Sequence, residues 1–189
     1  MKKFLIFIVI LLIFPDSIKV NSSILLINKN NPLPKSYIPN NLTHVSYIHT
    51  FKDIMLDYDC YMAYIKLYND SNLPFIIYSG YRSYEYQQLI YVGDKYQAKP
   101  GESEHQSGLA IDVTIDGVGL HEEFGHTKEG KWLNDNCHKY GFIIRYPKNK
   151  EAITGFLYEP WHIRYVGIDV AHIIYKNDIT LEEYINNNY

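Results

Sequence analysis

The chain has 189 residues, 47% of them hydrophobic and 21% charged, with a formal net charge of -3. That is the size of about one domain with ordinary globular composition, which excludes a disordered or collagen-like chain and leaves no electrostatic footprint for nucleic acid. Only three Arg (Arg82, Arg145 and Arg164) stand beside 15 Lys, so each Arg is a candidate for work that needs a planar, forked donor.

Two lysines precede an uninterrupted apolar run from Phe4 to Phe14, ended by Pro15 and Asp16. The run is shorter than the about 20 residues a spanning helix needs, so it reads as the core of a secretory signal. The flank from Ser17 to Ser23 offers no A-x-A cleavage site, and a retained signal-anchor stays open. Either reading places the protein outside the cytoplasm, secreted or anchored at the outer face of the membrane. Residues 1–20 are assigned to this leader, 21–49 to an extended lead-in and 50–189 to the main domain.

In the lead-in, Pro32, Pro34 and Pro39 block helix and favour extended geometry between Asn28 and Asn41. The apolar spacing from Phe51 to Tyr68 predicts a helix over 50–69, with Thr50 as N-cap. Phe75 to Tyr78 reads as a strand, and Ser83 caps a helix that runs to about Tyr91 before Gly93 breaks it. Leu109 to Ile115 alternates like a strand. Glu129 to Tyr140 is helical with Gly141 as a left-handed cap, and Phe142–Tyr146 and Trp161–Tyr165 are strands. Two helices follow, Ile168–Tyr175 and Leu181–Asn186, the second opened by the capping box of Thr180 and Glu183. Helices and short strands mix without a βαβ repeat, which predicts an α+β fold. Cys60 and Cys137 fall in helical patterns without metal-ligand spacing and read as small buried side chains.

Several hydrolase signatures are missing. No S-x-x-K arrangement and no G-x-S-x-G elbow occurs. His121-Glu122-Glu123-Phe124-Gly125-His126 approaches H-E-x-x-H, but its histidines are one position too far apart to share a helix face, and the stretch reads as a polar loop.

Two other constellations carry chemistry. In Ser103-Glu104-His105-Gln106-Ser107-Gly108-Leu109-Ala110-Ile111-Asp112, a histidine on a small, polar loop precedes an aspartate inside an apolar strand. A carboxylate between Ile111 and Val113 is costly to bury unless it is paired or bound to a cation. In Glu159-Pro160-Trp161-His162, a glutamate three residues before a histidine can place a free carboxylate beside a ligand imidazole. His105, Asp112 and His162 would give Zn²⁺ three ligands and leave one position open, with Glu159 as unligated base. The plainer alternatives are a core aspartate held by backbone amides, a surface His105, a strand-edge His162 and a capping Glu159. Arg82, in Gly80-Tyr81-Arg82-Ser83, can reach a carboxylate or an oxyanion, or form a surface ion pair. Arg145 and Arg164 read as strand residues that face outward or pair with acidic neighbours.

Together the Ser103-x-His105-x-x-Gly108-x-Ala110-x-Asp112 motif, the Glu159-Pro160-Trp161-His162 box and Ser79-Gly80-Tyr81-Arg82-Ser83 closely resemble the VanY-type zinc D-alanyl-D-alanine carboxypeptidases. The resemblance implies an α+β fold with a small antiparallel sheet flanked by helices, the D-Ala-D-Ala carboxypeptidase (hedgehog-like) fold, and makes 50–189 a zinc carboxypeptidase domain. It implies Zn²⁺ on His105, Asp112 and His162, Glu159 as general base, Arg82 as substrate-binding and transition-state-stabilising residue, and Ser103 as a contact to the substrate carboxylate. The partner it implies is a peptidoglycan stem peptide that loses its terminal D-alanine to a monomeric enzyme. L,D-carboxypeptidases acting on tetrapeptide stems share the metal site, as do endopeptidases that cut inside the stem. A zinc-stabilised binding module is the non-enzymatic alternative.

Overall fold

A computed structural model describes residues 24–187; the apolar leader lies outside them. Among the described residues no helix is long and apolar enough to cross a membrane.

The elements in chain order are β1 (Leu42–His44), β2 (Met55–Asp57), α1 (Tyr58–Ser71), β3 (Ile76–Ser79), α2 (Tyr84–Ile90), β4 (Ala110–Thr114), α3 (Lys128–Asn136), β5 (Phe142–Ile144), α4 (Glu151–Thr154), β6 (His162–Tyr165), α5 (Ile168–Asn177) and α6 (Leu181–Asn186). Strands β3-β4-β6-β5 form one sheet, antiparallel at every pairing, and β1 pairs with β2 in a small separate ribbon. Helices and a small antiparallel sheet thus make the α+β architecture expected from the sequence.

Period-2 alternation in the central strands separates two faces. Ile111 and Val113 of β4 and Ile163 of β6 enter the main core with Leu56, Cys60, Tyr64 and Leu67 beneath α1. Asp112 and His162 are register partners, as are Ala110 and Arg164, so one face of the sheet is apolar and the other carries the chemistry. All five residues of β4 are nonetheless buried: behind the polar face the turn at 104–107, α6 and the lead-in supply Glu104, Glu182 and the Leu25 carbonyl as partners to Arg145 and Arg164. A second apolar cluster joins Ile143 to Val170, Ala171, Ile174 and Leu181, seating α5 and α6.

The helix expected over 50–69 begins later. Asp57, not Thr50, is the N-cap, its carboxylate accepting from the N–H groups of Asp59 (3.0 Å) and Cys60 (3.3 Å). Met55–Asp57 instead pairs with β1, so a tertiary strand pairing overrides the helical spacing of Phe51 and Ile54. The 121–126 stretch is not a loop: Glu122–His126 forms a 3-10 turn with Phe124 buried and both histidines exposed, and neither histidine belongs to the His105–Asp112–His162 cluster. The Thr180–Glu183 capping box forms as read, and Gly141 caps the helical segment at φ +86°.

Candidate metal centre

The site is built across three chain segments. Asp112 and His162 face each other across β4 and β6, and His105 arrives from the 3-10 turn Glu104–Ser107 that immediately precedes β4. Gly108 makes that approach possible. It adopts φ +73°, and a Cβ there would meet Leu42 Cδ2 at 2.9 Å and the Asp57 nitrogen at 3.0 Å. The missing side chain at Gly108 therefore makes room for the β2 backbone, whose Asp57 N–H donates to the Gly108 carbonyl at 3.0 Å.

His105 Nδ1 lies 2.7 Å from the Gly80 carbonyl oxygen. A carbonyl only accepts, so Nδ1 carries the hydrogen and Nε2 presents its lone pair toward Asp112 Oδ2, 3.2 Å away. His162 turns Nδ1 to Asp112 Oδ1 at 2.9 Å, and Glu159 Oε2 stands 3.8 Å from that same nitrogen. Ligand atoms of His105, Asp112 and His162, all buried, lie within 4.8 Å of one another. Two imidazole nitrogens and a carboxylate around one point form a donor set that fits a single divalent cation of the zinc class.

Electrostatics follow from burial. Loss of water and the nearby Arg82 charge hold the His105 imidazole down at about 4, so it stays neutral. Burial also opposes charge on His162, yet its hydrogen bond with Asp112 and the nearby Glu104 carboxylate carry it up to about 9. Asp112 is buried, but the two histidines keep its carboxyl well below the usual carboxylate range. The Glu159 side chain is 28% exposed; the cleft walls strip most of its water and push it up to about 7, against the pull of His162 and Arg82.

Arg82 is aimed at the cluster, not at the surface. Its Nε donates to Gln87 Oε1 (3.0 Å), Nη1 to Ser79 Oγ (3.1 Å) and Nη2 to Ser103 Oγ (3.3 Å), with Nη1 3.6 Å from Asp112 Oδ2. Ser103 and Gln87 thus hold the guanidinium plane. Arg82, Ser103, Glu159 and the three ligand candidates share one cleft of about 250 Å³, with Tyr146, Phe156 and Trp161 among its walls.

Arg145 and Arg164 do not face outward. Both are fully buried and both donate to Glu104 Oε1 at 2.7 Å. Arg145 also grips Glu182 with two bonds, at 2.8 and 2.6 Å, and Arg164 donates to the Leu25 carbonyl at 2.7 Å. The other oxygen of Glu104 lies 3.7 Å from His162 Nε2. Sequence reasoning passed over Glu104, Glu182 and Gln87. A signal for the two acids was present: arginines that follow the apolar strand residues Ile143-Ile144 and Ile163 require counter-charges once buried.

A buried His-Asp-His donor set beside an unligated glutamate and an anchored arginine is the kind of site that divalent-metal hydrolases use. The VanY family model, described as D-alanyl-D-alanine carboxypeptidase, matches residues 55–168, and the chain belongs to that family. It is 43% identical over 178 residues to the putative carboxypeptidase YodJ of Bacillus subtilis (strain 168), covering 84% of this chain and 65% of that protein. The chain spans less than two thirds of the length of this relative and of a D-alanyl-D-alanine carboxypeptidase of Enterococcus faecium. Among solved structures, the LdcB LD-carboxypeptidase superposes with a TM-score of 0.80 at 41% identity, covering 85% of this chain and 84% of that one. A Zn(II) complex of a variant of the vancomycin resistance D,D-pentapeptidase VanY gives a TM-score of 0.74 at 34% identity, covering 87% and 99%.

Proposed function

We propose that the protein is a zinc-dependent carboxypeptidase that removes the C-terminal D-alanine from peptidoglycan stem peptides. The observation that carries this reading is the convergence of His105, Asp112 and His162 with Glu159 and Arg82 in one cleft. Family membership supplies the substrate class.

His105, Asp112 and His162 would hold the ion, which when bound supplies Lewis acidity and acidifies nearby water. Glu159 projects its carboxylate to the same point without being needed as a ligand, so it accepts the proton of the attacking water and returns it to the leaving amine. Arg82, held in plane by Ser79, Gln87 and Ser103, presents positive charge to the substrate carboxylate or to the oxyanion that develops at the scissile carbonyl. Ser103 completes this polar end of the cleft. Tyr146 stacks against His162, 5.0 Å between ring centroids, and limits rotation of that imidazole.

A second reading, L,D-carboxypeptidase activity on tetrapeptide stems, is favoured by the likeness to LdcB. Both activities release D-alanine and require the same five side chains. An extracytoplasmic location, with the N-terminal run as signal or anchor, agrees with a wall substrate, and action as a monomer completes the proposal.

Incubation of the protein with pentapeptide and tetrapeptide stems, with and without chelator, tests this by mass spectrometry. Metal-dependent loss of one alanine from the pentapeptide supports the D,D reading, and loss from the tetrapeptide the L,D one. Intact peptides in both cases would overturn the enzyme assignment. Glu159→Ala should abolish turnover while zinc stays bound.

A further inference from the structure

Lys29 lies in the lead-in, outside every motif of the site. Asn28 anchors it there: its side-chain oxygen accepts from the N–H groups of Asn30 and Asn31, both at 3.0 Å, and its Nδ2 donates to Glu182 Oε1 at 3.1 Å. From this turn the Lys29 ammonium donates to two carbonyl oxygens, Lys95 at 2.7 Å and Gly155 at 2.6 Å. It also stands 4.7 Å from the centroid of the Phe156 ring, a cation–π distance. Its methylene stem covers Gly155, the left-handed cap of α4 at φ +76°, where a Cβ would lie 3.6 Å from Lys29 Cδ.

The two carbonyls belong to segments sixty positions apart in sequence, and each segment supplies part of the cleft wall, Tyr96 and Gln97 from the first and Phe156 from the second. The 91–99 loop is already fixed at its far end, where Gln87 Nε2 donates to the Ala98 carbonyl at 2.8 Å while its Oε1 holds Arg82. At Lys95 the side-chain tie is Lys29. An ammonium suits this place because it is a compact charge with three donors that can serve two carbonyls and a ring face together.

We propose that Lys29 is a positioning residue for the substrate cleft, strapping the Lys95 loop to the Gly155–Phe156 turn and so fixing the spacing of its two walls. The proposal rests on the reading of the cleft as the stem-peptide site. Lys29 bonds to none of the ligand residues, nor to Glu159 or Arg82. Its loss therefore weakens how substrate is held and leaves bond cleavage in the bound complex intact.

The test uses the full chain, its Lys29→Met variant, which keeps an apolar stem, and its Lys29→Arg variant, which keeps donors and charge. Removing two charge-assisted bonds at an exposed position should raise KM by about tenfold, with kcat within about twofold. Lys29→Arg should recover most of the loss. Hydrogen–deuterium exchange should quicken together over residues 94–98 and 155–157 in Lys29→Met, with other peptides unchanged. An unaltered KM, a fall in kcat alone, or unaltered exchange in either segment would overturn the strap. Should the parent chain turn over no stem peptide, the proposed function falls, and the exchange measurement by itself still decides the role of Lys29.

Discussion

Replacing Glu182 with alanine leaves Arg145 buried beside a carboxylate it must share. The guanidinium has no exposure and takes two of its three acid contacts from Glu182, at 2.8 and 2.6 Å. What remains is Glu104 Oε1, which Arg164 also holds at 2.7 Å. Two arginines and two carboxylates become two arginines and one. Breaking one side of a buried ion pair costs about 3–5 kcal/mol, because the surviving charge is left uncompensated. Loss of the acceptor for Asn28 Nδ2 adds about 1 kcal/mol. In a chain of this length each kcal/mol lowers Tm by roughly 2–4 °C, so Glu182→Ala should melt roughly 10–20 °C below the parent. Thermal and urea unfolding followed by circular dichroism measure this. The double variant Glu182→Leu with Arg145→Met replaces the pair by apolar volume and leaves Glu104 to Arg164; it should recover at least about 2 kcal/mol of the loss. A Glu182→Ala loss under about 1 kcal/mol would show that Arg145 keeps its water and that the network is not a buried one.

Further outcomes follow from local geometry. Thr180→Ala removes the hydroxyl that accepts from the Glu183 N–H at 3.2 Å and should cost about 1 kcal/mol in urea unfolding. Glu183, whose carboxyl is held below its usual 4.5 by the Thr180 N–H and by Lys150, stabilises the fold above that unfolded-state value. Its contribution fades as pH falls through the lower folded value, so the gap between parent and Glu183→Gln should be present at pH 7 and close under strong acid; a gap unchanged by pH would refute the assignment. Cys60 and Cys137 are free and buried. Burial raises Cys60 far above its ordinary range and Cys137 up to about 12, so neither should react with a thiol reagent before unfolding; rapid labelling of the native protein would contradict this. Gly108→Ala places a methyl against Leu42 and the Asp57 backbone at a positive φ and should destabilise by about 1–3 kcal/mol while lowering zinc affinity. Calorimetric zinc titration checks the second effect.

Short-range signals carried most of the architecture. Ser83, Thr180 with Glu183, and Gly141 mark helix ends through hydrogen bonds or backbone angles that a few neighbouring residues dictate. The start of α1 is not legible in the sequence, because Phe51 and Ile54 keep helical spacing while Met55–Asp57 is captured by β1, a pairing no local pattern announces. The same division holds at the site. A carboxylate between Ile111 and Val113 and a glutamate three residues before a histidine are costly or unusual enough to be noticed. The partners of Arg145 and Arg164 come from positions 104 and 182 and from the Leu25 backbone, and only the fold brings them together. Lys29 had no local signal either, since an exposed lysine in a proline-rich lead-in resembles any other.

The most direct measurement is anomalous diffraction at the zinc edge from crystals of the full chain grown with zinc. One anomalous peak should appear within bonding distance of His105 Nε2, an Asp112 carboxylate oxygen and His162 Nδ1, with Glu159 facing it but not required to bind it. Absence of a peak there, or a metal bound elsewhere on the chain while this cluster stays closed on its own hydrogen bonds, would contradict the account.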